Sequence, residues 1–423
     1  MKILVVGGGG REHAIVWSLA RSPRVSRLYC APGNGGIAGL AECVDIAATD
    51  LDGMTSFALR EAIDLVFVAP DDPLALGMVD RMESAGLRVF GPHANAAAIE
   101  SSKVFSKGLM RKYGIPTAAY GVFTDLGQAL EYVGTQPLPV VVKADGLALG
   151  KGVVIARTHE EAREAVCGMM RDGAFGDAGR TVVIEEYMTG PELTVLAFTD
   201  GTTVVPMPNA RDHKRANDND EGLNTGGMGA VVPGHVPAEG EEAAWMDRIF
   251  QPTVDALRAE GRPFKGVLYF QLMLTPNGAK VIEYNARFGD PEAQAVLPLL
   301  RTDFLDIVDA VIDRRLDRID VEWEPKASCC VVMASGGYPA SYRKGYEVFG
   351  LGEVHALVFH AGTRKEGNRI LTNGGRVLGV TAVADSLREA VDAAYADVAR
   401  IRFQDMHVRS DIGRTTLAAR TGT

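Results

Sequence analysis

Three shortages bound what this chain can be. Cysteine is scarce: five residues in 423, an odd number, with no CxxC spacing. Cys329 and Cys330 are neighbours in an apolar run, which suits core residues better than a zinc site or a disulfide framework. That usage belongs to a reducing compartment, so the expected location is cytoplasmic. Long apolar runs are missing too. None reaches the length that spans a membrane, and the opening MKILVVGGGG reads as a short strand entering a glycine loop, not as a signal peptide. Positive charge is the third shortage: 44 Lys and Arg against 54 Asp and Glu leave a net charge of −10. This argues against nucleic acid as a partner and leaves room for local basic clusters that meet small anions. His213 and the other histidines show no metal-ligand pairing, and no Ser–His–Asp or Cys–His arrangement can be read from the spacing.

What is present describes a globular protein with well-filled cores: 47% hydrophobic residues and a mean hydropathy near zero. The length exceeds what one core organises, so two to four domains are expected. Up to about Glu100, strand candidates (Ile3–Val6, Arg27–Cys30, Leu65–Ala69, Leu87–Phe90) alternate with helix candidates (Arg11–Ala20, Gly77–Ala85). Such alternation predicts α/β architecture, a parallel sheet with helices on its faces. Ligands bind beyond the carboxyl ends of such strands, so Gly7–Gly10, Pro32–Gly36 and Pro70–Pro73 are expected to meet at one site. From about Ser101 to Pro191 the sequence predicts a helix at Lys103–Tyr113, a strand pair around Val140–Ala156 and a strand ending in Glu185–Glu186. Long strands follow to Trp323, and Pro325 marks a boundary before a last segment of strand and turn signals (SGGYP, TNGGR) that ends in a helix.

The most informative stretch is VIEYNARFGDPE, Val281–Glu292. Val281, Glu283, Asn285 and Arg287 alternate, so Glu283, Asn285 and Arg287 are expected on one strand face. A carboxylate and an amide oxygen side by side suit a hard cation that also holds phosphates. The arginine could neutralise a transferring phosphoryl group or an oxyanion. The plainer alternative is an edge strand with a solvated polar face.

Other segments are less specific. The Gly7–Gly10 loop fails the G-x-G-x-x-G pattern, since the sixth place holds Glu12 or His13, and no acid follows the second strand near Cys30–Ala31. Close backbone approach to a phosphate at a helix N-terminus fits better, with a ligand-free turn as the alternative. VVVKADGLALGKGVVIA (Val140–Ala156) lacks Walker A spacing, with Gly152 where Ser or Thr belongs. Strands on both sides make it a glycine flap with Lys143 at its base and Lys151 at its tip, suited to closing over a triphosphate. A solvated hairpin explains the tip but not Lys143, an ammonium set among valines. The acidic end of Val182–Glu186 suits ribose hydroxyls or plain solvent. DHKR (Asp212–Arg215) and NTGGMG (Asn224–Gly229) bracket a polar loop, an active-site lid or an ordinary surface loop.

Taken in order, VVGGGGREHA, APGNGG, FGP, SKVFSKGLM, VVKADGLALGKGV, VVIEEY, DHKR, NTGGMGA, KGVLY, EYNARFGDPE, ASGGYP and SDIGR resemble the ATP-grasp superfamily and, within it, the phosphoribosylamine–glycine ligase family. The match runs nearly end to end. It implies a Rossmann-like N-terminal domain (1–101), a two-part ATP-grasp domain (102–324, flap about 118–190) and a small α+β C-terminal domain (325–423). The implied reaction joins glycine to 5-phosphoribosylamine through glycyl phosphate, with ATP as substrate and Mg²⁺ or Mn²⁺ as cofactor. The partners are these small molecules, with no nucleic acid and no membrane, and the chain is expected as a monomer or weak homo-oligomer.

The resemblance implies Arg287, Asp212 and Lys214 as catalytic and Lys103, Lys107, Lys143, Gly150, Lys151, Glu185 and Glu186 as ATP-binding. It implies Gly9, Gly10, Asn34, Asp71, Asp290 and Glu292 as substrate-binding, with the 5-phosphate on the Gly9–Gly10 amides, and Glu283 and Asn285 as metal ligands. Two departures stand out. Asp71 occupies the place of a longer glutamate in the expected G-P-E-x-P-L loop, here APDDPL. A second metal carboxylate, expected one strand before Glu283, is replaced by Gln271, which leaves Asp290 or Glu292 to serve or one metal site weak.

Overall fold

The computed structural model describes residues 1–146 and 152–421. Gly150 and Lys151, expected at the flap tip, lie outside the described residues.

Within the first hundred residues five parallel strands form: β1 (Lys2–Gly7), β2 (Arg27–Pro32), β3 (Glu42–Cys43), β4 (Leu65–Val68) and β5 (Val89–Phe90), in the order β3-β2-β1-β4-β5. The chain leaves β1 towards β2 on one side and returns to β4 on the other, so a crevice opens at the end of β1. Ile3, Leu4, Val5 and Val6 are all fully buried, as helices on both faces require. The three expected loops do meet. Gly33 N donates to Gly7 O at 3.0 Å, and Gly7 has φ +119° with a built Cβ only 2.5 Å from Glu12 Cγ and 3.0 Å from Pro70 Cγ, so a side chain there is excluded. The fourth strand candidate shortens to Val89–Phe90.

Helix Lys103–Tyr113 starts on Ser102, whose hydroxyl accepts from Phe105 N, and stops at Gly114 in the left-handed region, φ +69°. It leads into a four-stranded antiparallel sheet in the order Tyr120–Phe123, Val182–Glu186, Val140–Ala144, Val153–Ala156. Helices Leu126–Thr135 and His159–Met170 back it, and this unit has its own core around Val133, Val142, Val166 and Ile184.

The next sheet runs Val204–Pro206, Glu192–Thr199, Gly266–Thr275, Gly278–Asn285. Unlike the flap unit, it shares cores with the N-terminal sheet: Leu4, Val66, Val195 and Phe270 belong to one apolar cluster. The last sheet crosses the expected boundary at Pro325. Gly229–Val232 pairs with Ala327–Ser335, which pairs in turn with Arg376–Ala384 and with Met406–Val408. Among the described residues no helix is long and apolar enough to cross a membrane.

Candidate active site

Register places the polar face of the central sheet. Thr194 lies opposite Gln271, Gln271 opposite Glu283, and Tyr269 opposite Asn285. With Glu192 these side chains share one face, because residues two apart and directly paired residues point the same way. Val281 does not share it. The register slips between Gln271 and Leu272, which pairs with Val281, so Ile282 is the extra residue of a β-bulge and Val281 turns into the core, fully buried. Strict alternation from Val281 is thus corrected: the bulge re-aims Glu283.

Arg287 lies two residues past the strand end. Its Nη2 is 3.2 Å from Asn285 Oδ1, 3.1 Å from Glu100 Oε1 and 3.8 Å from Asp71 Oδ2, and its Nη1 donates to Phe288 O at 3.2 Å. Its Nε is buried with no hydrogen-bond partner among the described residues. The shorter Asp71 still reaches this centre. Burial works to raise its carboxyl, but Arg287 and Arg11 bring it below the usual range.

The lysines converge from two elements. Lys107 Nζ is 2.9 Å from one oxygen of Glu185 and Lys143 Nζ is 3.1 Å from the other, all three nearly fully buried. The Lys143 contact is an ion pair without an aligned hydrogen bond, since that oxygen finds no donor in line among the described residues. Burial pulls Lys107 down to about 8 while Glu185 opposes it. Lys103 opens its helix and donates to Gly146 O at 3.0 Å. Asp145 fastens the flap base to that same helix end, accepting from Val104 N and Ser102 Oγ. Glu186 points away from Glu185, is half exposed, and pairs with Lys280 at 2.8 Å. Glu283 sits among these cations. Burial favours its neutral form, but Lys214, Lys143, Lys103 and Arg287 outweigh that and hold its carboxyl below the ordinary value.

The polar loop supplies Asp212 and Lys214. Lys214 Nζ is 3.7 Å from Glu192 Oε2, which also accepts from Gln271 Nε2 at 2.7 Å. Burial, with Glu292 and Glu192 nearby, pushes the Asp212 carboxyl up to about 7 against the pull of Lys214. Glu292 is buried and accepts from Tyr269 OH at 2.8 Å.

The N-terminal loops hold a surprise. Gly9 N donates to Glu12 Oε2 at 2.6 Å and Arg11 N to Asp290 Oδ2 at 3.2 Å. The donors on either side of Gly10 are therefore taken by carboxylates where a phosphate was expected, because Glu12, three residues into its helix, turns back as a cap. Asn34 is also engaged: its amide nitrogen donates to Gly8 O and His360 O, and its oxygen accepts from Gly36 N and Ile37 N. Asp290 is further held by Gln294 at 2.7 Å and lies 3.5 Å from Arg376 Nη2. Glu100 and Glu192 join the site from outside every motif, and Arg11, Glu12, Tyr269 and Arg376 join it from within VVGGGGREHA, KGVLY and TNGGR, where no site role was assigned to them.

The donor set fits a hard divalent cation. Glu283 and Asn285 each offer a hard oxygen ligand, and Gln271 Oε1, across the ladder from Glu283, is buried without a hydrogen-bond partner among the described residues. Among the described residues no three His, Cys, Asp or Glu side chains form a closed metal cage. Phosphate oxygens would complete such a site, as is usual for Mg²⁺.

An N-terminal parallel sheet, an antiparallel flap sheet, and a carboxylate–amide pair ringed by lysines between them define an ATP-grasp ligase. Comparison with known proteins places it more closely. The chain matches the phosphoribosylglycinamide synthetase N domain over residues 1–100, its ATP-grasp (A) domain over 101–293 and its C domain over 328–415. It is 49% identical to the phosphoribosylamine–glycine ligase of Caldanaerobacter subterraneus subsp. tengcongensis, covering 97% of this chain and 99% of that one. Its fold matches the crystal structure of the Thermotoga maritima phosphoribosylamine–glycine ligase with a TM-score of 0.87 at 32% identity, covering 97% of this chain and 100% of the other. A biotin carboxylase domain from Hydrogenobacter thermophilus, solved with MgADP and bicarbonate, shares the fold at 16% identity, TM-score 0.74, covering 96% of this chain and 91% of that one. The chain belongs to the phosphoribosylamine–glycine ligase family, and is an ATP-dependent ligase that joins glycine to 5-phosphoribosylamine in purine biosynthesis.

Proposed function

We propose that the ligation runs through glycyl phosphate at the centre ringed by Lys103, Lys143, Lys214 and Arg287. A carboxylate oxygen of glycine attacks the γ-phosphorus of ATP and ADP leaves. The amine of phosphoribosylamine then attacks the acyl carbon, phosphate departs, and the amine proton passes to Asp212. The observation that carries this reading is the convergence of Lys103, Lys143, Lys214 and Arg287 on Glu283, cations placed where phosphate oxygens and a metal ligand would meet.

Within this reading Lys103, Lys107 and Lys143 hold phosphates, and Gly150 and Lys151 contribute to ATP binding. Glu185 sets the two buried lysines, and Glu186 faces the nucleotide side. Glu283 and Asn285 would hold Mg²⁺ or Mn²⁺ beside the nucleotide, and the cation would supply charge neutralisation for phosphoryl transfer. Arg287 faces the oxyanion of the acyl phosphate, and Lys214 steadies the departing phosphate. Asp71, Asp290, Glu292, Gly9, Gly10 and Asn34 frame the phosphoribosylamine pocket, with Arg11 and Arg376 as its cations. The flap has a core of its own, so it can close without opening another core, which excludes water from an intermediate that hydrolyses readily. All five cysteines are free, in keeping with a cytoplasmic enzyme.

The test is isotopic. With ATP, Mg²⁺, fresh phosphoribosylamine and glycine labelled with ¹⁸O in its carboxylate, one labelled oxygen should appear in the phosphate released, beside glycinamide ribonucleotide found by mass. Unlabelled phosphate accompanying product would overturn the acyl phosphate.

A further inference from the structure

The segment His407–Gly413, near the end of the chain, has no part in the chemistry above, yet it grips the loop that carries Asp212 and Lys214. That loop continues into a hairpin, Arg215–Asn217 paired with Glu221–Asn224. The second strand is exposed along its whole length, and Leu223 is 60% exposed. The turn between them holds Asn219 and Asp220 at φ +60° and +55°, a left-handed conformation that non-glycine residues keep only when their surroundings enforce it.

The enforcing contacts come from the C-terminal segment. Arg409, whose side chain is fully buried, donates from Nη1 to Arg215 O at 3.0 Å and to Asp220 Oδ1 at 2.9 Å. Its Nε and Nη2 form a two-pronged pair with Asp411, both at 2.8 Å, and Asp411 in turn accepts from Asn219 N at 2.8 Å. Ser410 N donates to Asp218 Oδ1 at 2.8 Å, His407 Nε2 to Ala216 O at 2.7 Å, and Gly413 N to His213 Nε2 at 3.3 Å. Every residue from His213 to Asp220 except Lys214 and Asn217 is thus tied to this segment. Lys214 is left to face Glu192.

We propose that Arg409 is a positioning residue: acting through the Arg215–Asp220 backbone, it sets Lys214 and Asp212 against Glu192 and Glu283. Two-pronged arginine pairs fix direction as well as distance, and the segment gains nothing from gripping an exposed hairpin unless the position of that hairpin matters. The inference rests on the role given to Lys214 above, and a double-mutant cycle separates the two claims.

Arg409→Met, Lys214→Met and the double variant are compared for kcat and for the KM of ATP, with hydrogen exchange read over residues 211–225. Arg409→Met should lower kcat by about tenfold with the ATP KM within about twofold, since misplacement of roughly 1 Å is enough for such losses. Exchange should rise in that peptide alone, and the double variant should lose clearly less than the product of the two single losses. Multiplying effects, or Arg409→Met with wild-type kcat beside a slow Lys214→Met, would overturn the positioning role alone. Wild-type turnover by Lys214→Met would overturn the assignment of Lys214 and this inference with it. Should Arg409→Met fail to fold, Asp220→Asn, a half-exposed partner of the same guanidinium, enters the cycle in its place with the same expectations.

Discussion

Glu185 lies between two ammonium groups, 2.9 Å from Lys107 Nζ and 3.1 Å from Lys143 Nζ, with all three side chains almost wholly buried. Lys143 and Glu185 are diagonal neighbours on one sheet face, since Lys143 pairs with Val183 and Val141 with Glu185. One carboxylate against two ammoniums leaves a positive charge inside the protein, which a phosphate would offset if these lysines bind the nucleotide as proposed.

Glu185→Gln should therefore make nucleotide binding sensitive to alkali. Burial already lowers Lys107 to about 8, and Glu185 is the group that opposes it; without that charge Lys107 loses its proton at lower pH. The ATP KM of the variant should rise by about tenfold per pH unit over a range where wild type is nearly flat, roughly pH 7 to 8. A KM–pH curve that superimposes on wild type would refute the coupling.

Glu283→Gln removes the only anionic member of the Glu283–Asn285 pair while keeping its shape. The Mg²⁺ concentration for half-maximal turnover should climb by roughly tenfold or more, with the melting temperature little changed. Unaltered Mg²⁺ dependence would count against the metal assignment.

Arg287→Ala has two separable consequences. Loss of the group proposed to face the oxyanion should lower kcat by about 10²- to 10³-fold. Glu100, 3.1 Å from Arg287, loses its cation while keeping the Ala286 N–H as a donor, which should destabilise the fold by about 1–3 kcal/mol. Adding Glu100→Gln should restore the melting temperature and leave kcat low. Recovery of both would make Arg287 a structural residue.

Proton acceptance by Asp212 should appear as an acid limb. Its carboxyl is pushed up to about 7 by burial and by Glu292 and Glu192, and only the ionised form takes a proton, so kcat/KM should rise with pH through that region. Glu292→Gln removes a charge that raises Asp212, so the limb should move to lower pH even as the rate falls. A limb that stays in place, or moves to higher pH, would point to another base.

Acid should loosen the contact between the N- and C-terminal domains. His13 Nδ1 accepts from His360 N at 2.7 Å, and burial drives the two imidazoles down to about 3 and about 4. Both are depressed, so their stabilising effect is full above the unfolded value near 6.5 and falls as pH drops towards the folded values, by about 1.4 kcal/mol per unit for each histidine. His13→Asn keeps an acceptor at that place without the titration. Its melting temperature should fall less steeply between pH 6.5 and 4, and an equal slope would exclude His13 as a source.

Legibility followed the range of the interactions. The Lys103–Tyr113 helix can be read because its cap, its apolar stripe and its terminal Gly114 are all local. Lys143 could be singled out because an ammonium in a run of valines needs an explanation. The identity of its partner could not, since Glu185 sits 42 residues away in sequence and meets it only through strand pairing. The partners of the Gly9–Gly10 loop were hidden for a related reason: the Glu12 and Asp290 carboxylates that accept from Gly9 N and Arg11 N come from one turn ahead and from 279 residues on.

The sequence by itself determined the alternation that builds the N-terminal parallel sheet, the glycine hairpin with a lysine at its base, and the Glu283–Asn285 pair, because strand and helix periods and turn residues act over a few positions. It also carried the motifs by which the family is recognised. Tertiary structure alone decided which charges face one another: the bulge at Ile282 that turns Glu283 into the site, Gln271 set across from it, Glu100 placed on Arg287, and the C-terminal segment closed over the Asp212–Lys214 loop. These depend on register and on packing between distant segments, where a shift of one residue reverses the face on which a side chain emerges.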